Sequence, residues 1–336
     1  MEKIIDEKYI KRRNRARKRK RKRQVISIVS LFLLIFIVGS CSARKIHNRE
    51  LSKINLSYDM SWYISRIKAY NKEKKLFDKS DIAIIPLKNI DSLKDRYLVK
   101  NSNHFKCAES YAYDTKKINS YILNNSYKGT DKIVFLTFDD GPNTYVTPQI
   151  LKVLREKKVH ATFFLVGKSI NKTHANVVHQ ILNEGNAIAN HSFSHDYSNL
   201  YPKRIANPST IIEEVNLTNE RLREIFGKDF KTNCFRYPGG HMSWKNTDAS
   251  DSLLEANGIF WIDWNTLVGD AEKKSLRPTT AKGQLEYVKN NLKKNTNTKI
   301  AVVLAHDSRG KELTVEALPH IIDYFKSQGY KFGILK

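Results

Sequence analysis

Short apolar segments alternate with amphipathic segments from Lys132 to the end of the chain. The apolar segments have the length of strands, and the amphipathic segments have apolar residues at helical spacing. The candidate strands are KIVFLTF, ATFFLVG, NAIAN, NCFRYP, GIFWIDW, KIAVVLAH and KFGIL. The candidate helices are TPQILKVLREKK, NVVHQILNEG, TIIEEVNLTNERLREIFG, SDSLLEANG, GQLEYVKNNLKK and VEALPHIIDYFKSQG. This alternation predicts an α/β domain over 131–336, with helices covering a parallel sheet that is open or closed into a barrel.

A longer apolar segment lies near the amino terminus, where 25–43 hold nineteen residues without a charge. As a helix it would be about 28 Å long, close to the ~30 Å hydrocarbon thickness of a bilayer. Residues 1–24 carry thirteen Lys/Arg against three Asp/Glu, and flanks rich in Lys and Arg stay on the cytoplasmic side. We therefore predict a basic cytoplasmic tail (1–24), a single transmembrane anchor (25–43) in the cell membrane, and an extracellular domain.

The same apolar segment has a second interpretation as a cleaved signal peptide. VGSC, from Val38 to Cys41, resembles a bacterial lipobox, in which Cys41 would be lipidated after cleavage. A basic leader of 24 residues is long for the charged region of a signal peptide, which favours the uncleaved anchor. Both interpretations export the domain and tether it to the membrane.

The net charge of +25 is typical of proteins that bind nucleic acid, but the tail alone contributes +10 and leaves +15 on the rest. A soluble nucleic-acid-binding protein needs no apolar segment such as 25–43. The charge is therefore interpreted as a topology signal, and we predict no nucleic-acid partner.

Residues 44–130 are rich in Lys, Asn, Ser and Tyr and contain no motif of recognisable chemistry. We predict a stalk and a small accessory unit that packs on the main domain. Outside the apolar segment the chain has two cysteines, Cys107 and Cys234. We expect two unpaired thiols, with Cys234 packed in a strand, while the sequence leaves a disulfide between them open.

Two adjacent carboxylates, Asp139 and Asp140, follow the first strand of the domain. Side by side they repel each other unless a positive charge lies near them, and a metal ion is the obvious candidate. His191 and His195 are four residues apart, so one helical turn would place both imidazoles on one face. In folds of this class the chemistry gathers at the carboxyl ends of the strands, and Asp139, Asp140, Arg236 and His306 all fall at or just after such ends.

Asp140, His191 and His195 would supply three ligands and leave one position open for water, as in catalytic zinc sites. Zinc lowers the pKa of bound water from about 15.7 to about 7, which creates a nucleophile at neutral pH. Asp139 is then free to accept the proton of that water. The ligands predict a divalent cation, zinc or alternatively cobalt, nickel or iron.

Further candidate residues follow two later strands, where FRYPGG contains Arg236 and VLAHD contains His306. In order and spacing, TFDDGP, HSFSH, RYPGG, GIFWIDWNTLVGDA and LAH resemble the motifs of the polysaccharide deacetylase family, also called the NodB-homology family or carbohydrate esterase family four. ATFFLVG and AIANHSFSH strengthen the resemblance, which covers roughly 132–336, about three fifths of the chain.

The resemblance implies a distorted (β/α)7-type barrel and metal-dependent hydrolysis of the N-acetyl group of an amino sugar. By position, Asp139 matches the general base of the family. Asp140, His191 and His195 match its metal ligands.

The resemblance also assigns roles to residues further along the chain. Arg236 would pair with the general base and keep it ionised. His306, oriented by Asp270, would be the general acid toward the departing amine. The backbone N–H of Tyr237 would stabilise the oxyanion, and Leu304 would line the pocket for the acetyl methyl group.

Two positions depart from the family pattern. Ala271 follows Asp270 where the family often has tryptophan, and Trp264 or Trp261 would supply the missing sugar-facing wall or belong to the core. Gly239 stands where a tyrosine is frequent, so we expect a wider groove on that side.

These features predict a membrane-tethered deacetylase of N-acetylglucosamine residues in cell-wall peptidoglycan. Chitin oligosaccharides, poly-N-acetylglucosamine and acetylxylan are alternative substrates, because the same attack by water serves each. A non-catalytic wall-binding module is an alternative of a different class, which the intact proton-transfer and metal-binding residues disfavour.

Overall fold

The structure is a computed structural model, and it describes residues 95–336. The predicted tail (1–24), the predicted anchor (25–43) and residues 44–94 of the predicted accessory region lie outside the described residues. Within 95–336, no helix is both long enough and apolar enough to cross a membrane.

The main sheet of the described residues is parallel throughout. The strands of the described residues are β1 (Ala112–Tyr113), β2 (Lys132–Asp139), β3 (Ala161–Leu165), β4 (Ala187–Asn190), β5 (Cys234–Phe235), β6 (Phe260–Trp261), β7 (Thr266–Leu267), β8 (Ile300–His306), β9 (Tyr330–Phe332) and β10 (Ile334–Leu335). Seven of them run in the order β6-β5-β4-β3-β2-β8-β7, and β9 pairs with β2 beside this path. β1 and β10 form a separate parallel pair.

Helices connect most of the strands, as parallel pairing requires. The α-helices are α1 (Thr115–Asn124), α2 (Val146–Lys157), α3 (Ala175–Asn183), α4 (Tyr197–Leu200), α5 (Pro208–Phe226), α6 (Asp248–Ala256), α7 (Ala281–Leu292) and α8 (Glu312–Ser327). Short 3-10 helices cover Lys106–Tyr111, Gly167–Ser169, Pro202–Arg204 and His241–Ser243.

The sheet curls into a half-barrel with apolar side chains on both faces. Along β2, Val134, Leu136 and Phe138 belong to the core shared with the helices, while Ile133 and Phe135 belong to a second cluster. This alternation follows from the two-residue period of a strand. The second cluster fills the inner side of the curved sheet, and its buried members include Phe164, Ala189, Cys234, Ile262, Ile300 and Val302. Within the described part of the chain, no strand ladder joins β6 to β7, so the half-barrel stays open there.

The segment before β2 packs into the same core. Ile118 of α1 is buried in the inner cluster, and β1 pairs with β10 at the carboxyl terminus. The backbone N–H of Thr115 donates to the carbonyl of Lys336 at 2.9 Å, and Asn103 Nδ2 donates to the carbonyl of Leu335 at 2.9 Å. The part of the predicted accessory region that is described is therefore joined to both the barrel interior and the last strand.

The predicted parallel α/β domain and its helices are confirmed, with two differences in the strands. β7 is absent from the predicted strands, because two residues are too few to show a strand periodicity. Its pairing with β8 places it in the sheet. The predicted strand KFGIL divides at Gly333, where the chain leaves β2 and continues as β10. A side chain at Gly333 would clash with Phe135 and Tyr113. Cys107 and Cys234 are both free, as expected, and Cys234 is buried in β5.

Candidate active site and metal centre

Asp139 and His306 end two neighbouring strands. β2 and β8 pair in parallel register, with Asp139 opposite His306. The backbone N–H of Asp307 donates to the carbonyl of Asp139 at 3.0 Å, which continues the ladder by one residue. The predicted base and the predicted acid therefore lie side by side at the carboxyl edge of the sheet, where catalytic residues of parallel sheets gather.

The turn that follows β2 holds Asp140 in an unfavourable backbone conformation. Its φ is +78°, and this left-handed region costs a residue with a side chain about 1–3 kcal/mol. The next residue must be glycine, because a Cβ on Gly141 would overlap the carboxylate of Asp307. That carboxylate is buried, accepts a hydrogen bond from Thr147 Oγ1 at 2.6 Å, and has its pKa raised to about 7 by burial. Asp307 thus shapes the turn, a role that its sequence position did not indicate.

His191 and His195 lie on an irregular loop between β4 and α4. Ser192 and His195 have left-handed φ values of 63° and 54°, which a helix excludes. The helical turn predicted from the spacing of four residues is therefore wrong. The loop still brings the two imidazoles together, with ring centroids 5.0 Å apart.

A buried carboxylate fixes this loop to α5. Glu214 accepts hydrogen bonds from the backbone N–H groups of Phe193 (3.1 Å) and Ser194 (3.0 Å), from the Ser194 hydroxyl (2.5 Å) and from Asn199 Nδ2 (3.3 Å). Glu214 is only 5% exposed. The pattern of apolar and polar residues along α5 does not indicate this contact, because the hydrogen-bond donors lie about 15 to 21 residues earlier in the chain.

Asp140, His191 and His195 converge as the ligand set predicted from the sequence. One donor atom from each lies within 4.8 Å of the others. Asp140 Oδ1 is 3.3 Å from Nε2 of His195 and 3.6 Å from Nε2 of His191. Ligands at the usual bond length around a tetrahedral zinc ion are about 3.3 Å apart. The spacing and the chemistry of these donors therefore fit a divalent cation.

The surroundings of His191 suit a metal ligand. Its Nδ1 lies 2.9 Å from the carbonyl oxygen of Arg236, which can only accept, so Nδ1 carries the proton and Nε2 offers its lone pair. Burial lowers the pKa of His191 to about 3. The imidazole is therefore neutral at physiological pH, as metal binding requires.

Arg236 is completely buried and every part of its guanidinium has a partner. Nη1 donates to Asp139 Oδ1 at 2.9 Å and to Thr137 Oγ1 at 2.8 Å. Nε donates to the carbonyl of Ile262 at 3.0 Å, and Nη2 donates to that of Asp263 at 3.1 Å. A buried charge is tolerated when it is paired and hydrogen-bonded in this way. The ion pair that the resemblance implied is thus present, and it fixes the position of the Asp139 carboxylate.

Burial raises the pKa of Asp139, although the charges of Arg236 and His306 act in the opposite direction. A carboxylate with a raised pKa accepts protons more readily than an ordinary aspartate. Asp139 is 3% exposed, and its Oδ2 lies 3.7 Å from Nε2 of His191. It therefore stands beside the candidate metal ligands and is suited to accept a proton there.

Asp270 holds His306 by two hydrogen bonds. Nδ1 of His306 lies 2.7 Å from Asp270 Oδ1, and the backbone N–H of His306 donates to Oδ2 at 2.9 Å. Thr314 Oγ1 also donates to Oδ2 at 2.8 Å, which orients the carboxylate. Burial alone would lower the pKa of His306, but the hydrogen bond and charge of Asp270 outweigh it and raise that pKa. Burial likewise opposes ionisation of Asp270, yet the bond from His306 leaves its pKa below the usual range.

A cavity of about 440 Å³ opens over these groups. The predicted site residues that line it are Asp139, Asp140, His191, His195, Trp264, Asp270, Leu304 and His306. Arg236 and Tyr237 lie behind this surface, and the Tyr237 hydroxyl donates to Asp251 at 2.7 Å. Trp264 contributes to the cavity wall, whereas Trp261 stacks on His241 at 3.7 Å.

The wall at Gly239 differs from what the sequence indicated. A Cβ on Gly239 would lie 3.1 Å from the hydroxyl of Tyr197, so the tyrosine ring occupies space that a side chain at 239 would need. The wider groove expected there is therefore partly filled from a different segment. Sequence reasoning missed Tyr197 because no spacing rule connects it with Gly239. Ala271 does line the cavity, as a small residue beside Glu272.

The chain is similar to several known proteins in sequence and in fold. The family model described as polysaccharide deacetylase matches residues 126–257. The chain is 32% identical over 207 residues to a putative polysaccharide deacetylase, YheN, of Bacillus subtilis, covering 61% of this chain and 68% of that protein. It is 30% identical over 203 residues to a peptidoglycan-N-acetylglucosamine deacetylase of Bacillus cereus, covering 60% and 85% respectively. A solved Streptococcus mutans CE4 esterase superimposes with a TM-score of 0.69 and 44% identity, covering 72% of this chain and 99% of that structure.

Proposed function

The chain belongs to the polysaccharide deacetylase family, hydrolases that remove N-acetyl groups, and we propose that its substrate is N-acetylglucosamine in cell-wall peptidoglycan. The observation that carries this proposal is the convergence of five groups on one cavity. They are Asp139, Asp140, His191, His195 and His306. Binding alone needs no paired proton acceptor and donor beside a set of metal ligands.

Asp140, His191 and His195 would hold a divalent cation, of which zinc is our first candidate. When bound, the cation would polarise a water molecule and the acetyl carbonyl, and lower the pKa of that water. The chain's own side chains divide the proton transfers between them. Asp139 lies beside the ligand set and is the proton acceptor. It takes a proton from the water molecule as the water oxygen bonds to the carbonyl carbon.

His306 completes the reaction on the amine side. As the carbon–nitrogen bond breaks, a protonated His306 delivers a proton to the nitrogen, and the sugar leaves as an amine. Asp270 holds the imidazole in place and favours its protonated form. The backbone N–H of Tyr237 is our candidate donor to the oxyanion, and Leu304 is our candidate contact for the acetyl methyl group.

The choice of peptidoglycan is supported by the B. cereus relative, whose name gives that activity. It is also supported by the predicted anchor at 25–43, which would place the domain outside the membrane beside the wall. We propose this location, with lipidation at Cys41 as the alternative tether. Chitin oligosaccharides, poly-N-acetylglucosamine and acetylxylan are the competing substrates.

Acetate release tests the proposal directly. Purified protein is incubated with zinc or cobalt and with purified peptidoglycan, N-acetylglucosamine oligomers, poly-N-acetylglucosamine or acetylxylan. We expect the highest kcat/KM with peptidoglycan. If wall glycan yields no acetate while another polymer does, the proposed substrate is wrong and the family activity stands.

A further inference from the structure

Tyr197 is an aromatic residue at the rim of the candidate active site that the proposed reaction does not use. It begins α4, and its ring centroid lies 5.3 Å from that of His195. The side chain lines the same cavity as Asp140 and Trp264. Tyr197 is 44% exposed, so a large part of its surface is free to contact a ligand.

The ring of Tyr197 is held in place by other aromatic residues. It packs edge to face on Trp244, with centroids 5.1 Å apart and an interplanar angle of 68°. Trp244 in turn stacks on Tyr201 at 3.9 Å and 9°, and its Nε1 donates to the carbonyl of Pro238 at 2.8 Å. A tyrosine fixed in this way loses little conformational freedom when a ligand covers it.

Two glycines make room for aromatic rings along this part of the cavity. Gly239 has φ +79°, and a Cβ there would lie 3.1 Å from the Tyr197 hydroxyl. Gly240 has φ +83°, and a Cβ there would lie 2.6 Å from the Trp264 ring. The glycine pair therefore lets Tyr197 and Trp264 lie directly against the backbone, and both rings line the cavity.

The Tyr197 side chain presents an apolar ring and a hydroxyl group at the edge of a polar cavity. A pyranose ring has the complementary character, with an apolar C–H face and hydroxyl groups at its edge.

We propose that Tyr197, together with Trp264, forms a stacking platform for the pyranose ring whose acetyl group is hydrolysed. The inference rests on the proposed function, since it assigns a substrate contact to the same cavity. In this assignment the ring supplies most of the contact, and the hydroxyl adds a smaller contribution. Tyr197 is therefore a substrate-binding residue that selects acetylated sugars over small acetyl compounds.

The test compares Tyr197→Ala, Tyr197→Phe and the control Tyr127→Ala. Tyr127 is a partly exposed tyrosine that precedes the amino end of β2, at the opposite end of the sheet from the site. Acetate release from chitotetraose, a tetramer of N-acetylglucosamine, is compared with hydrolysis of p-nitrophenyl acetate, which has no sugar ring. We expect Tyr197→Ala to lose about tenfold or more in kcat/KM for chitotetraose, mainly through KM, and less than about threefold for the ester. Tyr197→Phe and Tyr127→Ala should stay within about threefold of the wild type on both substrates.

Three results would overturn the platform. Tyr197→Ala could match the wild type on chitotetraose, or could lose equally on both substrates. Its zinc affinity, measured by titration, could fall together with its activity. That result would mean that Tyr197 supports the metal ligand His195 and does not bind the sugar.

If the chain has no deacetylase activity at all, the result is different, because the wild type would then release no acetate from any acetylated glycan. Calorimetric binding of chitotetraose decides the platform in that case. Binding weaker in Tyr197→Ala than in the wild type supports the platform, and equal or absent binding overturns it.

Discussion

Individual side chains in the site owe their chemistry to burial and to a few directed hydrogen bonds. His191 is neutral because it is buried, and its free nitrogen is selected by the carbonyl of Arg236. His306 is partly exposed, and although burial alone would lower its pKa, Asp270 reverses that effect. The two histidines are therefore suited to opposite tasks, one to bind a cation and the other to donate a proton.

The pairing of His306 with Asp270 makes activity depend on pH. Because the pKa of His306 is raised, its protonated form persists above the usual histidine range, and activity should fall as the pH rises through that raised pKa. Asp270→Asn removes the charge that raises it. We expect the alkaline limb of the kcat profile to move to lower pH, and kcat at neutral pH to fall by roughly 10²-fold. A pH profile of acetate release measures both effects.

The same linkage applies to stability. A raised histidine pKa contributes stability that is fully present below the unfolded-state pKa and is lost as the pH rises through the folded-state value. Replacing Asp270 should therefore remove stability chiefly at acidic and neutral pH. An alkaline limb that stays in place in Asp270→Asn would contradict the role of His306 as proton donor.

Sequence patterns predicted the residues to which we assign the chemistry, but not the residues that hold them in place. Asp139, Asp140 and His306 could be predicted because each ends or directly follows an apolar strand, and such ends meet at one edge of a parallel sheet. Glu214 and Asp307 could not, since each acts through contacts between segments distant in sequence. The sequence pattern of a helix face or of a strand end is the same whether its carboxylate is exposed to solvent or hydrogen-bonded to a loop.

Among the structural elements, the loop between β4 and α4 shows most clearly how local backbone conformation positions the candidate metal ligands. A spacing of four residues suggested a helical turn for His191 and His195, whereas the loop has left-handed residues at Ser192 and His195. Such a conformation persists only when its surroundings determine it. The hydrogen bonds to Glu214 supply that constraint.

Glu214→Gln tests how far this constraint controls metal binding. An amide can replace only part of the acceptor capacity of a carboxylate, so donors at Phe193 and Ser194 would lose optimal partners. We expect zinc affinity to fall about tenfold, as for other residues that orient metal ligands. Titration against a competing chelator measures the affinity.

The matched control is Glu213→Gln, which changes an exposed neighbour on the same helix. It should bind zinc as the wild type does. Thermal unfolding of the metal-free variants separates orientation from stability. Wild-type zinc affinity in Glu214→Gln, with or without a lower Tm, would contradict a role for Glu214 in positioning the ligands.

At the scale of the whole molecule, the strand and helix order was predictable because parallel strands buried on both faces form continuous apolar segments. The exact shape of the sheet was not. The gap between β6 and β7 depends on two-residue strands that are set by pairing alone.

The sequence predicted that the region before β2 packs on the main domain, but not how it does so. It gave no indication that Ile118 would enter the inner core or that β1 would pair with β10. The pairing of β1 with β10 joins the two ends of the described chain. The boundary predicted at 131 remains a prediction, and the structure adds that residues before it help to complete the core.

We propose that Asp140, His191 and His195 hold one divalent cation while Asp139 accepts the proton from water. Metal content and acetate release, measured on the same samples of wild type, Asp139→Asn and chelator-treated wild type, test it most directly. We expect one cation per chain in the wild type and in Asp139→Asn. Acetate release should be at least about 10²-fold slower in Asp139→Asn than in the wild type. Adding zinc to the chelator-treated wild type should restore its acetate release. Full turnover by Asp139→Asn, or by protein free of metal, would rule out this mechanism.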